Sequence, residues 1–314
     1  MSGSGPKKPN GFCKNMNFNF TKYSIVYYII FGFLVIASIA SLFAYGLKFG
    51  IEFAGGSNME VLFLEQRPSN EAIKTELKDF NLGEITVQPT GEKGAILKFQ
   101  GVDEATHKKI LAKVNETFKA SEDGFQYIGP SVGQELRNKT AVSIVMALLA
   151  ITIYIAFAFR KVSRPVSSWK YGVASLIALF HDILIPLGIF AVLGHFYNVE
   201  ITIPIVAALL TILGFSVHDT IVIFDRIREN ILRQGMAQFE DSVNKSLNQT
   251  VGRSISTVLT VEFVMVALYF FGGETLKSFS LALIIGITSG AYSSIFIASP
   301  LLVSWYKWSL KRSK

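Results

Sequence analysis

Apolar residues in this chain collect into six long runs, near 25–45, 140–159, 171–194, 201–224, 254–271 and 279–306. Each holds about 20 residues, enough for a helix to cross roughly 30 Å of hydrocarbon, so six membrane-spanning helices are predicted. Between the first two runs the pattern changes. From 57 to 131 the blocks give way to short periodicities, with 59–65 reading as a strand and 69–80 as a helix capped by Ser69 that gathers Ala72, Ile73, Leu77 and Phe80 on one face. Segments 84–88 and 95–100 alternate apolar and polar residues across a turn at 90–94, the pattern of a hairpin. An amphipathic helix at 103–118 and a strand at 125–128 complete the order β-α-β-β-α-β. That order predicts a ferredoxin-like α+β domain, two helices on one sheet, between the first and second spans.

The chain therefore divides into a tail at 1–24, a first span at 25–45, the domain with its connectors at 46–138, five spans within 139–306, and a tail at 307–314. With 50% of its 314 residues hydrophobic and 17% charged, it is too apolar for an ordinary soluble domain. The fold class expected is a polytopic α-helical membrane protein. Basic residues orient it: Lys7, Lys8, Lys14 and Lys22 precede the first run, Arg160, Lys161, Arg164 and Lys170 join the second to the third, and Lys307, Lys311, Arg312 and Lys314 follow the last. Five more lie between 225 and 253, whereas the connections at 195–200 and 272–277 hold only Lys277. By the positive-inside rule both termini are cytoplasmic and the 57–131 domain is outside. The net charge of +7 is then mostly orientation signal, and no nucleic-acid partner is expected.

Residues 46–138 carry 11 basic and 14 acidic side chains, which argues against an anionic partner held by electrostatics alone. His107, beside Lys108 and Lys109, reads as a solvated surface histidine. The first run is too long for a removed signal peptide and lacks a small-residue cleavage site. The single cysteine, Cys13, rules out an intramolecular disulfide and a cysteine metal cluster.

The candidate chemistry centres on 214–230, GFSVHDTIVIFDRIREN. It places Asp219 inside an apolar run, where an ionised carboxylate costs about 2.5–3.5 kcal/mol even on the lenient insertion scale, so it is expected to face the bundle interior and to have a task. His218 and Thr220 flank it as intramembrane polar support, and Asp225, Arg226, Arg228, Glu229 and Asn230 form a motif at the cytoplasmic end. Arg253 enters the fifth run from the same side at comparable depth, so an Asp219–Arg253 ion pair is predicted. His181 and Asp182 lie near mid-membrane in the third run, and as helix neighbours about 100° apart they are expected to point in different directions. Glu262, nine residues after Arg253, faces the opposite side of its helix and is left with either an external partner or a proton. Gly55, Gly56, Gly129 and Gly133 bracket the soluble domain as turns or as a hinge. Gly286 and Gly290 form a GxxxG pair suited to close helix contact. No P-loop, nucleophile elbow or metal-spaced cluster is present, so neither an enzyme nor a cofactor or metal is expected.

The 214–230 stretch resembles the signature of the SecD/SecF family of bacterial protein-export membrane proteins, with Phe215 and His218 as departures from its Tyr-Ser-x-Asn-Asp-Thr pattern. Gly50-Ile51-Glu52-Phe53-Ala54-Gly55-Gly56 is similar to the family's motif after the first span, with Glu52 in place of Asp. Segments 129–136, 249–254 and 290–300 also look like family segments. The resemblance implies the smaller, SecF-type half of an RND-type machine in the bacterial cytoplasmic membrane. In it Asp219 and Arg253 relay protons, and SecD, the SecYEG channel, YajC, membrane lipid and a translocating unfolded polypeptide are the partners. The alternatives are half of an RND-type exporter of small molecules or lipids, and a non-transporting assembly scaffold.

Overall fold

A computed structural model describes residues 18–160, 166–235 and 238–312, with backbone alone at 274 and 275. Lys7, Lys8, Cys13, Lys14, Lys161, Arg164 and Lys314 fall outside the described residues. The first apolar run forms helix α1, Ser24–Tyr45. A one-turn helix, α2, Ile51–Ala54, then leads into the soluble domain. There β1, Gly56–Phe63, is followed by α3, Asn70–Glu76, β2, Thr86–Thr90, β3, Gly94–Phe99, α4, Glu104–Phe118, and β4, Ala120–Ile128.

The strands form one antiparallel sheet in the order β2-β3-β1-β4, in which β1 pairs with both β3 and β4. Alternation along β1 puts Met59, Val61 and Phe63 beneath Ile73 of α3, Leu77 at its C-terminal end, and Ile110 and Val114 of α4, all buried. At about 1.5–3 kcal/mol for each large apolar side chain, this core stabilises the domain far more than its surface ion pairs do. Both helices start at side-chain caps: Ser69 accepts from the Ala72 amide and Asp103 from the Thr106 amide. Hydrogen bonds from Thr106 hold the Asp103 carboxyl below its ordinary range. The domain departs from expectation at His107, which is not solvated. It stacks on Phe125 with ring centroids 3.8 Å apart and contacts Glu122 at 3.1 Å, because β4 begins at Ala120, earlier than its apolar residues suggest, and places Glu122 and Phe125 beneath α4.

After the domain come α5, Pro130–Ala158, α6, Ser168–Tyr197, α7, Ile203–Gln234, α8, Phe239–Phe271, and α9, Gly273–Ser293. A π-helical turn, Ser294–Ala298, joins α9 to α10, Ser299–Arg312. Among the described residues six helical stretches are long and apolar enough to cross a membrane, the last comprising most of α9, the π turn and α10. Most helices outrun their apolar runs: α5 starts ten residues early, α7 continues ten past Phe224, and α8 begins fifteen before Ser254. Hydropathy reports the hydrocarbon slab, whereas backbone hydrogen bonding continues into water on amphipathic extensions.

Helix α6, the inner face of α7 and the last helical stretch make the core of the bundle. Helices α1, α5 and α8 lie outside and show exposed apolar side chains such as Phe33, Ile153 and Phe263. The expected close contact at Gly286 and Gly290 is present: a Cβ on Gly286 would collide with Ile212, and one on Gly290 would lie 2.9 Å from Ser216 Cβ. The backbones of α7 and α9 therefore meet over a stripe that admits only hydrogen as a side chain.

Candidate functional site

The close approach of α9 to α7 brings three helices around one carboxylate. Asp182 on α6 is 0% exposed and has four donors around it: Ser216 Oγ at 2.6 Å, Ser293 Oγ at 2.8 Å, His181 Nδ1 at 3.0 Å and Ser289 Oγ at 3.2 Å. Sequence spacing assigned His181 and Asp182 to different directions. The structure has both buried and bonded to each other, since the imidazole is long enough to bend around the helix to its neighbour's oxygen. His181 also meets the rings of Phe31 on α1, at 5.7 Å, and Tyr292 on α9, at 5.4 Å. The serines were the missed part of the site. Their signal was a spacing of four residues between Ser289 and Ser293 and their place next to glycines, legible only once Asp182 is known to face them.

One turn along α7, about 5 Å from Ser216, lies Asp219, 8% exposed. Its Oδ1 accepts from Ser254 Oγ of α8 at 2.5 Å, while its Oδ2 is buried with no partner among the described residues. Arg253 does not form the predicted ion pair. Among the described residues no salt bridge joins it to Asp219, because at its position on α8 the side chain turns to the exposed surface and the next residue, Ser254, takes the inward place. Arg253 and His218, which is also exposed, act on Asp219 only through space. Thr220, next to Asp219 on α7, bonds to the Ser216 carbonyl at 3.0 Å and to Ser294 Oγ of the π turn at 2.7 Å.

Glu262 finds a partner within the chain, Thr288 Oγ1 of α9 at 2.9 Å, and so takes no part in the Asp219 cluster. The motif beyond Asp219 ties α7 to α8 in their polar extensions. Arg226 bonds to Glu229 and to Gln249, the latter at 2.7 Å, Asn230 bonds to Ser246 at 2.7 Å, and Asp225 and Glu229 pair with Arg228 and Arg233. Its role in this geometry is to fix the helical hairpin, with Asn230 the buried clasp.

The glycines around the soluble domain are closely packed. Gly55 and Gly56 have φ of 79° and 147°, conformations that suit a tight turn. Gly129 caps α5 and Gly133 lies within it, where a Cβ would sit 3.0 Å from the Gly55 nitrogen and the Phe53 oxygen. The chain enters and leaves the domain through a packed crossing. A second tether joins the domain to the α6–α7 connection: Ile201 bridges Phe49, its amide bonds to the Lys48 carbonyl at 2.7 Å, and Glu200 pairs with Lys98 of β3 at 2.8 Å. The Lys98–Glu200 pair is largely shielded from solvent, with side chains 18% and 10% exposed. Lys98→Ala alone should cost more stability than Lys98→Ala with Glu200→Ala, with a coupling of about 0.5–3 kcal/mol in a double-mutant cycle read by thermal unfolding. Additive single effects would show the tether to be ornamental.

Among the described residues no three His, Cys, Asp or Glu side chains gather into a metal-sized group. What the bundle offers is carboxylate chemistry: one carboxylate saturated with donors and, a turn away, one with a vacant oxygen.

The model for the C-terminal region of the protein export membrane proteins SecD and SecF matches residues 106–308, and that for the SecD/SecF GG motif matches residues 40–63. The protein translocase subunit SecF of Thermobaculum terrenum is 44% identical over 301 residues, covering 90% of this chain and 92% of that protein. The subunit of the same name from Anaerolinea thermophila is 34% identical, covering 87% and 89%. Among solved structures, SecDF from Thermus thermophilus, a translocon-associated membrane protein, superposes with a TM-score of 0.80 at 32% identity; the match covers 92% of this chain but only 38% of that longer one. The chain belongs to the SecD/SecF family of protein-export membrane proteins.

Proposed function

We propose that the chain works as the SecF-type subunit of a bacterial inner-membrane protein translocase, joined to a SecD-type half and driven by protons that load Asp219. The observation carrying this reading is the vacant Oδ2 of Asp219, a buried carboxylate oxygen without a donor. A carboxylate left so can relieve its burial by taking a proton, which makes it the group in the bundle best placed to load and unload. The SecDF relative spans both halves in one chain, and the match to 38% of it leaves room for a partner half. In this reading the soluble β-α-β-β-α-β unit is a ferredoxin-like domain, which the strand order β2-β3-β1-β4 supports, and the six spans form an RND-type half. Through the Gly55–Gly133 crossing and the Lys98–Glu200 tether, a shift of α6 or α7 reaches this domain, which pulls on the emerging polypeptide. SecYEG and YajC are its expected associates, and the work involves no covalent catalysis.

Reading the chain instead as half of a small-molecule or lipid exporter requires larger soluble parts between the later spans. The α6–α7 connection here is only 198–202.

Both termini and the α7–α8 connection are placed in the cytoplasm and the soluble domain outside. Glu92→Cys, at the exposed β2–β3 turn, in a Cys13→Ser background should react with an impermeant thiol reagent in intact cells. Protection there, with reaction at a cysteine introduced in the α7–α8 connection, would invert the orientation. Proton-coupled export is tested by comparing Asp219→Asn with the unaltered chain in cells that secrete a reporter.

A further inference from the structure

Asp182 and His181 have no task in that reading, yet they form the most completely built polar site in the bundle. Ionised Asp182 can only accept hydrogen bonds, and its oxygens face four groups able to donate, a set that suits the ionised carboxylate. Its contact with His181 Nδ1 then requires the imidazole to donate there. The remaining lone pair of a neutral ring must lie on Nε2. That Nε2 is buried and has no partner, in a side chain 3% exposed. Together the two residues hold one net negative charge, which a proton on Nε2 would neutralise, leaving an imidazolium against a carboxylate.

We infer that His181 Nε2 is a second proton-accepting atom of this bundle, so that protons load at two levels, the His181–Asp182 pair and Asp219, one helical turn apart. The inference rests on the reading that the bundle is proton-driven. The groups facing the pair are few. On α9 they are Ser289 and the Tyr292 hydroxyl, on α1 the Phe31 ring, and on α7 Ser216; the further carboxylates are Asp219 on α7 and Glu262 on α8, which bonds to Thr288 beside Ser289. Helix α5 meets α6 at Gly172, about 13 Å away along the axis, and brings no charge to the pair. The hydroxyls of Ser216, Thr220, Ser293 and Ser294 around the two carboxylates are all buried. A charge change at the upper level is therefore felt at the lower one across protein rather than water, where screening is weak.

The test uses the full chain with its SecD-type partner in cells and in proteoliposomes. His181→Gln keeps a donor toward Asp182 but cannot take a proton. Reporter export by this variant, measured across external pH, should have its midpoint moved by about one pH unit or more. A purely structural histidine predicts the same midpoint as the unaltered chain, and that result would overturn the inference. In parallel, ring-15N spectra of histidine-labelled complex should show one imidazole that is absent from His181→Gln passing from the singly to the doubly protonated form as the pH is lowered. A ring fixed in either form throughout would overturn it even if the variant assembles poorly. Asp219→Asn keeps the two ideas apart. Full export by Asp219→Asn removes the proton-driven reading itself, whereas a dead Asp219→Asn with an unshifted His181→Gln removes only the second site.

Discussion

Asp219→Asn leaves the bundle assembled and lowers export of a secreted reporter to the level of cells lacking the chain. Asparagine has the shape of aspartate, its Oδ1 still accepts from Ser254, and its amide group occupies the place of the oxygen that already lacks a partner. The structural change is therefore small, and detergent-stable complex formation should stay near normal. What is lost is titration. Moving one charge through 100 mV yields about 2.3 kcal/mol, enough to bias a two-state element nearly fiftyfold, and an amide cannot collect it. Because Arg253 forms no ion pair with Asp219, Asp219→Asn combined with Arg253→Met should not recover export, as a static pair would require. Arg253→Lys, which keeps a charge acting through space, should retain part of the activity, and Arg253→Met should not. Full export by Asp219→Asn, or recovery in the double variant, would remove the proton-loading role.

The parts legible in the sequence share a physical reason. Six runs of apolar residues report a requirement of the bilayer that no tertiary contact can override, and the β-α-β-β-α-β order follows from local periodicities that the sheet then satisfies. Asp219 was legible because a carboxylate in a hydrophobic run is costly whatever surrounds it. Its partner was not, since which of Arg253 and Ser254 turns inward depends on the rotation of α8 about its axis, and a helix with an apolar face almost all round leaves that rotation unspecified. The donors around Asp182 were hidden for a related reason. Serines in a membrane helix often bond back to their own carbonyls, so their number says little until the glycine stripe of α9 fixes which of them face α6. The close packing of Gly133 was not legible from composition either: Phe53 and Gly55 press against it, which leaves no space for a side chain.

The largest loss of stability is expected at Asp182 rather than at Asp219. Asp182→Ala removes the common acceptor of Ser216, Ser289, Ser293 and His181, all buried, and leaves a cavity at the meeting point of α6, α7 and α9. Each stranded donor costs about 1–3 kcal/mol, reduced where a serine can turn back to its own helix, as Ser293 can toward the Gly290 carbonyl at 3.2 Å. The sum is on the order of 3–5 kcal/mol, which corresponds to a fall in unfolding temperature of roughly 5–10 °C. Asp182→Asn should cost less but still more than Asp219→Asn, because its amide turns one acceptor into a donor that faces donors. Purified complexes scored by thermal unfolding in one detergent test this order. If Asp182→Ala unfolds at the temperature of the unaltered complex while export is lost, Asp182 is the carboxylate that loads the proton and the vacant oxygen of Asp219 has been misassigned. A marked loss of stability at Asp182, beside a stable and inactive Asp219→Asn, divides the labour as the geometry does: one carboxylate holds three helices together, and the other is free to change charge.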